Sequence, residues 1–491
     1  MQKKTLILFA AILVFHLANN VYWSGQNTAN YYDESVHYML SAEEYGNILE
    51  PETLHDAEHL YPILEYSKGL YPPFFHLMNT AAFIFMGITK QSILAINTIF
   101  LAILVISTFL IGKEVYDEKT GLIAAGVVSF FPAIFLLSRL YLLDLALTAM
   151  VTASLFTLLK TKSFTDRKMS ALAGITFGLG MLTKITFIIF LIVPLCIILK
   201  QTAAKINETQ KKNILLFSAL AITLFFLWYF SHAESLIDNI GIQNKIGIFE
   251  GNPAWNTPDG AMFYILGTIN AISAPIAIIL AAGALLFAKS GKHKKELAFF
   301  GFFILVPFIV FTFISIKEIR HFVPLSGVFA ILAGKAIIGI QNLQIKKLVL
   351  GALAAILIVQ FFVISYPEIS DFSPKTGDWQ EHNIISEIKN SKTEKPPIIV
   401  AENESPFFNS ATLAKTAFIE KTGIGVLKLF DGHLNQKYIL QSDIAKLEKT
   451  HEIFYVKILS PNADTEENAR IYPLPNGDKV TVYKNRKLTN K

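Results

Sequence analysis

Apolar runs close to the ~20 residues that cross a bilayer core as a helix recur along this chain, and they exclude most architectures at once. They cover residues 5–23, 91–112, 120–138, 142–159, 170–183, 186–199, 213–231, 261–288, 296–316, 321–340 and 347–366. A transmembrane barrel would alternate apolar and polar residues along short strands, and these runs do not alternate. With 53% hydrophobic and only 16% charged residues, and a mean hydropathy of +0.46, the chain is too apolar for a water-soluble protein of 491 residues. The expected fold class is an α-helical polytopic membrane protein with about eleven crossings plus outer juxtamembrane helices. Its 40 Phe suit a lipid-facing surface. The lone cysteine, Cys196, lies inside an apolar run and can form no internal disulfide.

The net charge of +5 carries topology rather than nucleic-acid affinity, because the lysines cluster in short loops. Lys160, Lys162, Arg167 and Lys168 share one loop, and Lys200, Lys205, Lys211 and Lys212 another. Lys289, Lys292, Lys294 and Lys295 share a third, and Lys346 and Lys347 close a fourth. These belong on the cytoplasmic side. Residues 24–72 hold nine acids and one lysine, Lys68, while 232–259 hold only Lys245, so both are expected to face outward. The start, "MQKKTLILFAAILVFHLANNVYW", reads as an uncleaved signal-anchor. Parity then makes 73–88 a segment that enters and leaves on the outer side without crossing.

At Pro367 the composition turns polar and the apolar runs shorten to strand length. "PPIIVAEN", "GVLKLFDG", "HEIFYVKIL" and "DKVTVYKN" read as strands, and "NSATLAKTAFIEKTG" and "QSDIAKLEKTH" as helices. The expected organisation is a membrane domain over 1–366, with outer loops 24–72 and 232–259, followed by an extracytoplasmic α/β domain over 367–491.

This topology collects the unusual residues on the outer face. Asp33, Glu34 and His37 stand in "ANYYDESVHYML"; Arg139 and Asp144 flank the turn of "SRLYLLDLALT"; Lys184 sits in "GMLTKITF"; and Lys317, Glu318, Arg320 and His321 lie in "SIKEIRHFVPL". Each taken alone is ordinary, since cations at helix ends commonly snorkel to the interface. Together they offer specific chemistry. A carboxylate accepts the proton of an incoming hydroxyl, and cations hold a phosphate leaving group as charge develops on it. At a membrane surface the natural phosphate donor is lipid-linked, so sugar transfer from a polyprenyl phosphate fits.

These stretches, with "LYPPFFH" and "RHFVPLSGVFAILAG", resemble in their order the pattern of glycosyltransferase family 39. That group comprises the dolichyl-phosphate-mannose–protein mannosyltransferases and the bacterial aminoarabinose transferases of lipid A, within the GT-C superfamily. The resemblance runs over roughly 5–340. It implies a GT-C membrane fold and inverting transfer of one sugar, from a polyprenyl-phosphate donor to a hydroxyl of a protein, lipid or glycan. No cofactor is required on this reading, and a divalent metal would be incidental. Asp33 would be the base, supported by Glu34; Asp144 would be the second acid; Lys184 and Arg320 would contact phosphate or carrier. Arg139 and His321 join them as further substrate contacts. Two positions depart from the pattern. Tyr71 stands where the family often has Lys before "PP", so Tyr71 and the nearby cation Lys68 are the candidate phosphate contacts there, and His37 stands where it often has Tyr, with Tyr38 next, as a candidate to orient Asp33 or contact the sugar.

Two other classes match parts of the sequence. "HDAEH", His55 to His59, matches a short zinc-peptidase pattern without an identifiable third ligand. A transporter or flippase would suit many proline-bearing spans, but it would place charges at the midplane and show internal repeats. Here the charges gather at the outer edge and the halves do not match.

Overall fold

The computed structural model describes residues 3–49, 67–203, 206–290, 293–367, 370, 372–391, 393, 395–429, 438–439, 447–461, 463 and 469–484. "HDAEH" lies outside them, as does most of the "QSDIAKLEKTH" helix. The described helices run α1 (Lys3–Gln26), α2 (Tyr32–Leu49), α3 (Phe74–Met86), α4 (Lys90–Val115), α5 (Glu118–Ser129), α6 (Pro132–Leu137), α7 (Asp144–Lys160), α8 (Arg167–Met181) and α9 (Phe187–Ala203). They continue with α10 (Glu208–Ser231), α11 (Ala233–Phe249), α12 (Pro258–Ile272), α13 (Ala274–Ser290), α14 (Lys294–Phe313), a 3₁₀ segment (Ile319–Leu325), α15 (Ser326–Ile338) and α16 (Leu343–Ser365).

All eleven expected spans fall on helical segments. By length and apolarity alone, six described helices can cross a membrane, or seven if one bent pair counts as a single span. The other spans rest on shorter helices, such as α7 and α9 with 17 residues each. Residues 261–288, expected as one span, are instead two helices bent by 113°. The break lies at Ser273, whose φ of +86° is unusual for a residue with a Cβ. Pro275 follows two residues later in the first turn of α13, where a helix has no use for the N–H that proline lacks. Helices also occupy the two regions between spans where juxtamembrane helices are expected, α2 within 24–72 and α11 within 232–259.

The chain divides into two compact units: residues 1–22, 71–75 and 93–373 form one, and 23–70, 76–92 and 374–491 the other. Within the first unit α7 is the most enclosed helix, with all but three of its 17 residues buried. α8 packs against it and crosses α10 at very short range. A Cβ at Gly174 would stand 2.5 Å from the Phe217 carbonyl oxygen, and one at Gly178 would stand 2.8 Å from Leu224 Cβ. Small residues four apart permit this close approach of two helices.

In the second unit, α17 (Glu381–Asn390) and α18 (Ser410–Ile419) accompany six strands: β1 (Pro397–Ala401), β2 (Gly425–Leu429), β3 (Tyr438–Ile439), β4 (Glu452–Leu459), β5 (Arg470–Pro473) and β6 (Lys479–Lys484). The sheet order is β3-β2-β1-β4-β6-β5. The first four strands are parallel, and β6 and β5 continue antiparallel. Ile398, Val400, Ile453, Tyr455 and Tyr483 fill one sheet face. This sheet does not stand alone within its unit, because α18 packs on α2. Thr28 Oγ1 donates to the carbonyls of Lys375 (2.9 Å) and Gly377 (2.7 Å), and the rings of Tyr31 and Phe407 meet at 5.1 Å.

Candidate active site

In the first unit, four sequence motifs distant along the chain converge. The Phe74 N–H, just after "YPP", donates to the Leu182 carbonyl at 3.0 Å, two residues before Lys184. The Phe75 ring meets Tyr141 at 5.5 Å. Asn97 fixes the turn before Asp144, donating to the carbonyls of Leu140 (2.8 Å) and Ser138 (3.3 Å). Lys184 is held between α8 and α9: its N–H reaches the Gly180 carbonyl and its own carbonyl accepts from Phe187 N–H at 3.0 Å. Tyr229 on α10 adds a bond to the Met181 carbonyl at 2.8 Å.

Asp144 opens α7 with its side chain only 2% exposed. Its Oδ1 accepts from Lys184 Nζ at 3.0 Å, and its Oδ2 faces Arg320 Nη1 at 3.8 Å. A carboxylate so enclosed is tolerable only because cations meet it on both oxygens. The two cations are less buried, with 17% and 27% of their side chains exposed. Asp144 thus holds an ammonium and a guanidinium group at one site, both partly exposed. Glu318 pairs with Arg320 Nε, and His321 lies 4.0 Å from the same carboxylate while stacking on Phe311.

Two other sequence candidates lie in different settings. The Arg139 guanidinium is buried over the rings of Phe361 (4.9 Å) and Phe135 (5.4 Å), and its Nε donates to Asn20 Oδ1 at 3.1 Å. Burial lowers its pKa to about 10, which leaves it charged at neutral pH. Lys317 donates to the carbonyls of Phe311, Thr312 and Ile314, neutralising the negative end of α14.

The acidic pair belongs to the second unit. Asp33 and Glu34 occupy the first turn of α2, where carboxylates complement the helix dipole. Glu34 is buried, and its Oε2 accepts the Tyr31 N–H at 3.0 Å. Lys68 makes an ion pair with the buried Glu43 at 2.6 Å. Tyr71 stands at the turn before Pro72 and Pro73, on the segment assigned to the first unit.

The structure adds two polar residues of this unit, His76 and Lys415, to those the sequence offers. His37 Nδ1 and His76 Nε2 lie 3.0 Å apart, both rings buried. Lys415, on α18, stands 5.9 Å over the Tyr38 ring. Burial lowers the Lys415 pKa, opposed by the charge of Glu381; burial in turn raises Glu381, opposed by Lys415. Burial also raises the Tyr38 pKa, with Glu34 adding to it. His76 was visible in "LYPPFFH" as a lone imidazole in an apolar segment. Lys415 had no local signal, because only the pairing of α18 with α2 brings it there.

Residues 71–229 match the family model described as dolichyl-phosphate-mannose-protein mannosyltransferase. No curated protein matches the chain. Among solved structures, ArnT from Cupriavidus metallidurans bound to undecaprenyl phosphate shares 12% identity at a TM-score of 0.65, with 98% of each chain covered. AglB, the archaeal oligosaccharyltransferase from Archaeoglobus fulgidus, in complex with an inhibitory peptide and a dolichol-phosphate, shares 12% identity at a TM-score of 0.58. That likeness covers 93% of this chain and 70% of AglB. At such identity the likeness to solved structures shows a common fold; the chain's own apolar helices mark it as an integral membrane protein.

Proposed function

We propose that this chain, a GT-C superfamily protein similar to glycosyltransferase family 39, is a glycosyltransferase that moves one sugar from a polyprenyl phosphate to an acceptor hydroxyl. The hydroxyl belongs to a protein, lipid or glycan, and the reaction takes place at the extracytoplasmic membrane face. The observation that carries this reading is the enclosed Asp144 clasped by Lys184 and Arg320. Both Asp144 oxygens face cations, which suits it to hold those cations rather than to take a proton. Lys184 and Arg320 then receive the phosphate that leaves the sugar and stabilise the charge growing on its bridging oxygen. Asp33 is the base: the acceptor oxygen attacks the anomeric carbon, its proton passes to the Asp33 carboxylate, and the bond to phosphate breaks with its electron pair. Direct displacement inverts the anomeric centre. No cofactor takes part in these steps.

Deletion of the gene tests the reading. Mass analysis of proteins, lipids and surface glycans is expected to show loss of a single sugar, restored by the native chain and not by Asp33→Asn. A deletion strain with an unchanged glycan profile, or full restoration by Asp33→Asn, would overturn it.

A further inference from the structure

Glu318 has no part in the roles above, although its Oε2 accepts from Arg320 Nε. Arg320 is one of the two cations that face Asp144, so Glu318 brings a second carboxylate to the same site. The two carboxylates differ. Asp144 is enclosed, with 2% of its side chain exposed and a cation before each oxygen. Glu318 is 31% exposed, and its described side-chain contacts, with Arg320 Nε and His321 Nε2, are both made by Oε2.

The backbone on either side of Glu318 is fixed. Lys317 before it is tied to the last carbonyls of α14, and Ile319 after it lies so close to α12 that a Cβ at Gly267 would overlap its Cδ1. Tyr264, three residues earlier on α12, is fully buried, with its ring 5.5 Å from Phe322 and 5.9 Å from Lys317 Nζ. The His321 N–H donates to the Glu318 carbonyl at 3.1 Å, and the His321 ring stacks on Phe311. A carboxylate carried on so fixed a turn is preorganised for a ligand.

The chemistry of the side chains says which ligand. A pocket that takes only a phosphate is weakened by a second carboxylate on its guanidinium, because like charges repel. Lysine and arginine donate hydrogen bonds and accept none, whereas an ionised carboxylate only accepts. Lys184 and Arg320 can therefore meet phosphate oxygens but cannot accept from a sugar hydroxyl. Asp144 has both oxygens committed to cations. Glu318 supplies the acceptor for the O–H or N–H groups of a sugar, which hangs from its phosphate by a single bridging oxygen.

We propose that Glu318 is a specificity-determining residue that accepts hydrogen bonds from the hydroxyl or amino groups of the donor sugar, a role that rests on the assignment of the phosphate to Lys184 and Arg320. It makes the site a reader of sugar phosphates rather than of phosphates.

The test uses the full chain in lipid nanodiscs and compares binding of undecaprenyl phosphate alone with binding of undecaprenyl phosphate carrying mannose, glucose or aminoarabinose. Glu318→Gln keeps the side-chain length and an oxygen for Arg320 Nε but loses the charge. A general change in anion affinity then falls on both kinds of ligand and cancels in the ratio of their Kd values. The native chain is expected to bind at least one sugar phosphate more tightly than undecaprenyl phosphate. In Glu318→Gln that preference should shrink by roughly 10–10²-fold, the effect of losing hydrogen bonds to a charged group, while undecaprenyl phosphate itself binds as well as before or better. Glu318→Ala, which removes the acceptor altogether, is read on the same ratio if Glu318→Gln does not fold. An unchanged ratio, or an equal loss of both kinds of ligand, would overturn the inference and make Glu318 a group that only orients Arg320; the phosphate assignment would still stand. A native chain that binds undecaprenyl phosphate but prefers none of the three sugar phosphates would overturn it likewise. A native chain that binds none of these ligands would remove the phosphate assignment and the inference with it.

Discussion

Lys184→Met removes one of the two cations on Asp144 and keeps most of the side-chain stem. The carboxylate it leaves is 2% exposed, and Arg320 stays 3.8 Å from its second oxygen. Breaking a buried pair outright costs about 3–5 kcal/mol; with one cation retained, the stability loss should fall below that range. The catalytic loss is separate. Removing a donor preset for charge that develops in the transition state costs about 2.7–4 kcal/mol, or roughly 10²–10³ in kcat. Turnover with a polyprenyl-phosphate sugar should therefore drop by that factor while the chain still inserts and runs as a single species in size exclusion. Lys184→Arg should recover part of the rate. The double variant Lys184→Met with Asp144→Asn isolates the cause. If Lys184 serves only to neutralise Asp144, removing both charges restores turnover; if it meets the phosphate, turnover stays low. Restored turnover in the double variant, or undiminished turnover in the single one, would refute the reasoning.

Asp33→Asn is expected to abolish transfer while thermal unfolding and membrane insertion stay as in the native chain, measured in parallel on one preparation. Gly174→Leu drives a side chain into the Phe217 carbonyl of α10, 2.5 Å from where Cβ must stand, and should cut the yield of folded protein before any rate is measured. Lys317→Met strands three carbonyls at the end of α14; a stability loss of about 1–3 kcal/mol is expected in chemical denaturation. His382 Nδ1 lies 2.7 Å from Glu420 Oε1, whose hydrogen bond and charge raise the imidazole pKa. Because the folded pKa is the higher one, this bond stabilises the protein below the ordinary histidine value and the gain is lost as pH rises through the raised one. Ring titration by NMR should show the shift, and Glu420→Gln should abolish it.

The membrane class was legible because runs such as 91–112 and 347–366 need no tertiary information: length and apolarity decide them. The bend at Ser273 was not, since Pro275 inside an apolar run is compatible with a kinked continuous helix as well as with a break. Strands β1, β2, β4 and β6 were readable from their β-branched and aromatic runs, whereas β5 has four residues and β3 two, too few for a pattern. Helix α17 is marked in the sequence by Ile384, Ile385 and Ile388, which lie buried on one face. The candidate site was legible where motif and turn coincide, as at Asp144, Lys184 and Arg320. It was illegible where distant segments meet: residues near Thr28 share a unit with those near Lys375, and no local pattern announces such a pairing. Arg139 and Lys317 show the converse, cations at span ends whose described contacts are aromatic rings, the Asn20 amide oxygen and backbone carbonyls.

The central claim is that the chain breaks the bond between a sugar and a polyprenyl phosphate. Purified protein in sealed vesicles, given donor labelled in both sugar and phosphate, measures this directly. The account predicts that the labels separate, with free polyprenyl phosphate appearing as the sugar joins its acceptor with inverted anomeric configuration, and that Asp33→Asn stops both. Labels that stay together while the intact donor crosses the vesicle membrane would contradict it and identify a flippase instead.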